Sequence, residues 1–182
     1  MPDPDSSLDP APSSLTLDLF RHGIAAEPTD GIPDLERPLT KEGIRRTQAV
    51  AKSLKKLGIH WDMLLTSPLL RATQTAQIAL STRLTDHIEV FPPLAPGGSF
   101  QDLVLWQQQH PDITSLAVVG HQPDLSSWIL AALVNDWAPV SRPPNALIPL
   151  KKAGLARIQF PSRRMEQGSL VLLLSPKILL GL

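Results

Sequence analysis

Two arginines and two histidines in this 182-residue chain are of the types needed for chemistry on a phosphoryl group: Arg21 and His22 are adjacent, and Arg71 and His121 follow far along the chain. A guanidinium presents a planar fork of N–H donors that matches phosphoryl oxygens. An imidazole, with an ordinary pKa of about 6.5, is largely neutral near pH 7 and can attack phosphorus through its free nitrogen. The four side chains therefore predict an anion site with a nucleophile, provided that the fold brings them together.

The surrounding sequence predicts strands that end at these residues. Alternating or apolar runs predict strands at residues 15–20, 61–66, 87–91, 115–120, 155–160 and 169–174. Helical spacing predicts helices at residues 41–57, 99–109 and 124–134, and another that opens at Ser67-Pro68 with Ser67 as its N-cap. The alternation predicts an α/β fold, a three-layer α/β/α sandwich with a mostly parallel central sheet. Sites in such sheets lie at the carboxyl ends of the strands, so the four side chains should converge there.

The composition narrows the function classes. Seventeen basic and 17 acidic residues cancel, so no general attraction to nucleic acid or to an anionic membrane is expected. The absence of Cys excludes a disulfide framework and a thiolate metal site. Residues 1–14 are rich in Pro, Asp and Ser, which predicts a disordered tail rather than a secretory signal. We expect one domain over residues 15–182, in a monomeric cytoplasmic protein without membrane contact.

Four motifs resemble those of the histidine phosphatase superfamily, also called the phosphoglycerate-mutase-like family. They occur in the family's order, and the resemblance runs from Leu17 to about Leu174. The motifs are Leu19-Phe20-Arg21-His22-Gly23, Pro38-Leu39-Thr40-Lys41-Glu42-Gly43, Ser67-Pro68-Leu69-Leu70-Arg71-Ala72-Thr73-Gln74-Thr75-Ala76 and Val118-Val119-Gly120-His121.

This resemblance implies a phosphoglycerate-mutase-like fold and a role for each predicted site residue. It implies that His22 attacks phosphorus and carries the phosphoryl group, while Arg21 and Arg71 hold its oxygens. It implies that His121, as a cation, stabilises the charge of the transition state. Arg37 either joins the phosphate-binding residues or forms a surface salt bridge. No cofactor and no metal is expected.

One element of the family pattern is missing. Many members carry an acidic or amide residue just after the Gly, but here Ile24 follows Gly23. Asp102, Glu89 and Glu27 are candidate acids, although none lies in a matching motif. An alkoxide leaving group needs a proton donor, whereas imidazole, with a conjugate-acid pKa near 6.5, can leave without a dedicated acid. The missing acid therefore favours a phosphohistidine substrate.

Within the superfamily, the chain most resembles the SixA branch of small phosphohistidine phosphatases. The resemblance rests on Arg21 to Ala25, on Arg37 to Thr40, on the short length and on Ser175-Pro176. It implies a partner that bears phosphohistidine, such as a phosphotransfer domain or a phosphocarrier. A small-molecule phosphomonoesterase and a non-catalytic phosphoprotein-binding module remain as alternatives. Lys151-Lys152 is either a solvated charge pair or a contact for an acidic partner.

Overall fold

The computed structural model describes residues 14–28, 31–135 and 147–181. The predicted disordered tail therefore lies outside the described residues, apart from Ser14, as do Trp137 and most of the proline-rich segment that follows it. The strands are β1 (Leu15–Arg21), β2 (Met63–Thr66), β3 (Ile88–Val90), β4 (Ser115–Gly120), β5 (Leu155–Phe160) and β6 (Ser169–Leu174). The helices are α1 (Lys41–Lys56), α2 (Leu70–Ser81), α3 (Phe100–Gln109), α4 (Asp124–Val134) and the single turn α5 (Pro176–Leu179).

The six strands form one sheet in the order β3-β2-β4-β1-β5-β6. The contacts β2 to β3, β2 to β4 and β1 to β4 are parallel, whereas β5 runs antiparallel to both β1 and β6. The predicted, mostly parallel sheet is confirmed. Because β1, β2 and β4 run in the same direction, their carboxyl ends meet at one edge of the sheet.

Helices cover both faces of this sheet. Alternate strand residues point to opposite sides, so Leu17 and Leu19 of β1 pack with α3 and α4, while Phe20 packs with α1, α2 and α5. The same alternation divides β4 between the two cores. The predicted three-layer α/β/α sandwich is confirmed.

Local sequence signals predicted most element boundaries correctly, with two exceptions. Thr40 caps α1 by accepting a hydrogen bond from Gly43 N at 2.9 Å, as its sequence position predicts. The second strand begins at Met63 rather than at Trp61. The prediction that Ser67 caps the next helix is wrong: α2 begins at Leu70. Ser67 instead continues the sheet, because its backbone N donates to Val119 O at 2.9 Å.

A buried ion pair ties the sheet to its flank. Asp18 on β1 is fully buried, and it accepts two hydrogen bonds from Arg157 on β5 and one from the indole N–H of Trp61. A buried carboxylate needs such partners, because an unpaired charge in the interior is strongly unfavourable. The network therefore fixes β5 against β1 below the site.

Candidate active site

His22 directly follows β1 at the carboxyl edge of the sheet. Its backbone N donates to Gly120 O at 3.2 Å, which joins it to the end of β4. Its ring Nδ1 lies 2.7 Å from Gly23 O. A carbonyl oxygen can only accept, so Nδ1 carries the proton, and in the neutral ring the lone pair is on Nε2. His22 thus has the tautomer that a nucleophile acting through Nε2 requires.

His121 follows β4 and faces His22. The two ring centroids are 5.0 Å apart, with the rings tilted at 50°. Nε2 of His121 lies 2.8 Å from Ser67 Oγ at the end of β2, while its buried Nδ1 has no hydrogen-bond partner in the described part of the chain. An unpartnered buried nitrogen is rare in proteins and is commonly explained by function or by a missing ligand. The three strand ends therefore converge as the sequence predicts.

Arg71, in the first turn of α2, points toward the same histidines and is held by a carboxylate that sequence reasoning did not identify. Its guanidinium donates to Asp34 O at 2.7 Å and to Asp34 Oδ2 at 2.9 Å. Arg37 contacts Asp34 Oδ1 at 2.6 Å and Ala26 O at 2.7 and 2.9 Å. Of the two interpretations of Arg37, the structure shows a salt bridge; phosphate binding by Arg37 remains a prediction.

Arg21 ends β1, and one face of its guanidinium is fixed by backbone. Its Nη1 donates to Leu150 O at 2.8 Å, and its buried Nε has no partner among the described residues. Burial lowers the pKa of Arg21 from its ordinary value. Free donors on a desolvated cation are suited to an anionic ligand.

The loop after His22 is locked against two helices. Gly23 N donates to Thr75 Oγ1 at 3.1 Å, and that hydroxyl donates in turn to Arg71 O at 2.8 Å. On the other side, a Cβ at Gly43 would overlap Ile24 O, so only glycine permits the close approach of α1. His22 and Arg71 are therefore carried by one tightly packed unit.

The electrostatics of the site keep both histidines neutral when no anion is bound. Burial lowers the pKa of His22 to about 3 despite its bond to Gly23 O, and repulsion from a protonated His121 and from the two arginines acts in the same direction. Burial and the charge of Arg71 lower the pKa of His121 to about 4, although Asp34 acts in the opposite direction. In the anion-free site, burial among arginines disfavours a positive charge on His121, so the cationic His121 expected in the transition state remains a prediction for the anion-bound site.

Among the described residues, no carboxylate of the site is placed to donate a proton. Arg71 and, less strongly, Arg37 lower the pKa of Asp34, so Asp34 is ionised near neutral pH. The candidate acids Asp102, Glu89 and Glu27 are exposed, and none forms an ion pair or a hydrogen bond with the predicted site residues in residues 14–28, 31–135 and 147–181. Within those same ranges no cluster of His, Asp and Glu could hold a metal ion, and no helix is long and apolar enough to cross a membrane.

Sequence reasoning missed Asp34 as part of the site, and it placed Thr66-Ser67 at a converging strand end without identifying the contact between Ser67 and His121. Asp34 begins a three-residue 3-10 helix in a segment without a periodic sequence pattern, and its contact with Arg71 is distant in sequence. Ser67 was interpreted as a helix cap because Ser-Pro is a common helix opening. Its position directly after a buried strand indicated that it lies at the same edge as His22 and His121, but not that its hydroxyl contacts His121.

A mostly parallel sheet sandwiched by helices carries an uncharged imidazole among arginines at its carboxyl edge, and this arrangement is suited to chemistry on a bound phosphoryl group. Comparison with known proteins agrees. Residues 17–95 match the family model of the histidine phosphatase superfamily (branch 1). The phosphohistidine phosphatase SixA of Escherichia coli is 31% identical over 129 residues, which cover 69% of this chain and 76% of that protein. The chain belongs to the histidine phosphatase superfamily.

Other relatives extend this similarity over nearly the whole chain. An uncharacterised protein of Picosynechococcus is 41% identical over 172 residues, which cover 91% of this chain and 99% of that protein. The structure of SixA complexed with tungstate superposes with a TM-score of 0.73 at 25% identity, covering 90% of this chain and 98% of that one. The α-ribazole phosphatase of Shigella flexneri superposes with a TM-score of 0.67 at 18% identity, covering 89% and 97%, which shows a shared fold. Phosphatases with different named substrates therefore share this architecture.

Proposed function

We propose that this protein is a phosphohistidine phosphatase that acts on a phosphohistidine-bearing protein through a covalent phospho-His22 intermediate. The observation that carries the proposal is the protonation pattern of the site. His22 is neutral, with Nε2 free, while Asp34, the carboxylate bonded to Arg71, is ionised. The described residues of the site thus offer a nucleophile and cationic groups, but no acid for a basic leaving group.

In the first step, Nε2 of His22 attacks phosphorus and the bond from phosphorus to the substrate imidazole breaks. The leaving ring can take its proton from solvent on its other nitrogen, so it departs as neutral imidazole without a dedicated acid. Arg21 and Arg71 bind the phosphoryl oxygens and neutralise their charge. A phosphoryl dianion also raises the pKa of His121, so His121 can become the cation that the family resemblance implies only once substrate is bound.

In the second step, water attacks phosphorus and the bond to His22 breaks. The products are inorganic phosphate and neutral His22, so atoms and charges return to the starting state. Ser67 positions His121 by its hydrogen bond to Nε2, which leaves the unpartnered Nδ1 available to a ligand. The similarity to a protein named phosphohistidine phosphatase supports this substrate class.

The test compares wild type with His22→Ala on a phosphotransfer domain carrying ³²P-phosphohistidine. Wild type should release phosphate and show transient label on the enzyme, while His22→Ala should do neither. The exposed histidine His87 provides the matched control, and His87→Ala should retain both properties. Unchanged turnover in His22→Ala would overturn the assignment of the nucleophile.

A parallel panel of sugar phosphates tests the substrate class. We expect phosphohistidine to be hydrolysed far faster than any alkyl phosphate, because of the two leaving groups only imidazole departs without an acid. Faster turnover of an alkyl phosphate would instead support the small-molecule phosphomonoesterase. Tight binding of phosphoprotein with no turnover and no labelled enzyme would support the binding module.

A further inference from the structure

A second, strongly basic cavity adjoins the site and shares Arg21 with it. The cavity has a volume of about 570 Å³, within the size range of ligand-binding pockets. Five cationic side chains line it and no carboxylate does: Arg21, Arg46, Lys151, Lys152 and Lys177. We call this cavity the basic pocket.

Three separate segments supply the cations of the basic pocket around Arg21. Arg46 comes from α1, Lys177 from α5, and Lys151 and Lys152 from the turn that precedes β5. The bond from Arg21 to Leu150 O, directly before Lys151, fixes this turn beside the site. The fold thus gathers charges that are far apart in sequence at the border of the phosphoryl site.

These charges have little compensation within the described part of the chain. Arg46, Lys151, Lys152 and Lys177 form no ion pair there, and the buried Nε of Arg46 has no acceptor. Glu42, one helical turn from Arg46, is exposed and forms its hydrogen bonds with Arg45 instead. Like charges held together repel each other and raise the local positive potential, which attracts an anionic ligand.

We propose that the basic pocket binds a second anionic group of the substrate, namely carboxylate side chains that flank the phosphohistidine of the partner protein. This inference rests on the proposed function: the basic pocket is the feature by which the site selects its partner. Arg21 lies at the boundary, so a ligand can place its phosphoryl group at His22 and its carboxylates at the lysines simultaneously.

The chemistry of the pocket favours carboxylates on a protein over a second phosphate. Three of its cations are lysines, which are flexible point charges, rather than the rigid forks that grip a single phosphate bidentately. Lys151 and Lys177 are exposed, as expected for charges at the rim of a protein interface. Such charges act on encounter and partner choice more than on the chemical step.

The experiment uses the full chain and two phosphohistidine peptides that differ only in flanking Glu or Gln residues. The triple variant Lys151→Gln/Lys152→Gln/Lys177→Gln should lower kcat/KM for the Glu peptide by roughly tenfold, mainly through KM, because rim charges each contribute modestly. For the Gln peptide the change should stay within about twofold. The control variant Lys52→Gln/Lys55→Gln/Lys56→Gln removes the same charge from exposed positions toward the far end of α1, and it should change neither value.

Binding of the unphosphorylated peptides separates this inference from the proposed function. Wild type should bind the Glu peptide more tightly than the Gln peptide in fluorescence anisotropy, and the triple variant should lose that preference. If this binding preference and its loss are observed but neither phosphopeptide is hydrolysed, the proposed function is refuted and the assignment of the basic pocket is retained. An equal loss of affinity for both peptides in the triple variant would overturn the inference. A preference for the Glu peptide that the triple variant keeps would overturn it as well.

Discussion

Lowering the pH from 8 to 5 should destabilise the protein through the two buried imidazoles of the site. His22 is 6% exposed with a pKa of about 3, and His121 is 4% exposed with a pKa of about 4. In the unfolded chain both titrate near 6.5. Below that pH the unfolded state binds more protons than the folded state, so stability is lost as the pH falls from about 6.5 toward 4.

The size of this loss follows from the two pKa values. At pH 5, protonating one histidine of the unfolded chain lowers its free energy by about 2 kcal/mol relative to pH 8, and the folded state gains almost nothing. This loss of about 2 kcal/mol barely depends on the pKa of the histidine in the folded state, provided that this pKa is about 4 or lower. Both histidines together should cost about 4 kcal/mol, a large part of the 5–15 kcal/mol typical of a domain.

Urea unfolding followed by tryptophan fluorescence, in phosphate-free buffers between pH 8 and pH 5, measures this dependence. His22→Asn removes one titrating group, so its free energy of unfolding should fall by about 2 kcal/mol less than that of wild type over this range. The exposed His87 gives the control, since His87→Asn should leave the wild-type dependence intact.

A difference of less than about 0.5 kcal/mol between wild type and His22→Asn would refute the reasoning. It would mean that His22 accepts a proton in the folded protein as readily as in the unfolded chain. The arginine-lined, buried environment would then not hold the nucleophile neutral. The proposed mechanism would lose its central observation.

Two further substitutions test how the site is supported. Gly43→Ala places a methyl group against Ile24 O, so we expect a loss of about 3 kcal/mol in urea unfolding and a clear fall in kcat/KM as the His22 loop shifts. Gly58→Ala is the control, because an added Cβ there has no atom within 4 Å although φ is +75°. This variant should lose about 1 kcal/mol of stability and keep the wild-type kcat/KM. Equal kcat/KM values for the two glycine variants would contradict the packing argument. Asp18→Asn breaks the buried pair with Arg157 and should cost about 3 kcal/mol in urea unfolding; a loss below about 1 kcal/mol would show that the pair is not needed.

Periodicity and turn signals were sufficient to predict the sheet, its helices and the edge at which the site lies. The strand that ends at His22 and the buried strand before His121 are short-range patterns, and parallel sheets bring such ends together. Arg71 was predicted because its motif opens a helix after another strand. These features depend on local sequence, which is why the sequence alone revealed them.

Features that depend on contacts between distant segments were not predictable in the same way. The bond between Asp34 and Arg71 joins the segment before α1 to α2. No spacing in the sequence predicts this contact. The neutral state of His121 depends on burial among charges supplied by other strands and helices. Lys151-Lys152 was visible as a charged pair, but its grouping with Arg46 required the fold.

The strand order carries a consequence for how the protein becomes active during its synthesis. β4 lies between β2 and β1 in the sheet, although it follows both in the chain. A nascent chain that ends before Ser115 already holds His22 and Arg71 but lacks the strand that joins their supports. On the proposed mechanism, catalytic competence therefore arises late, after the central strand inserts, because a chain interrupted before that point lacks both this strand and His121.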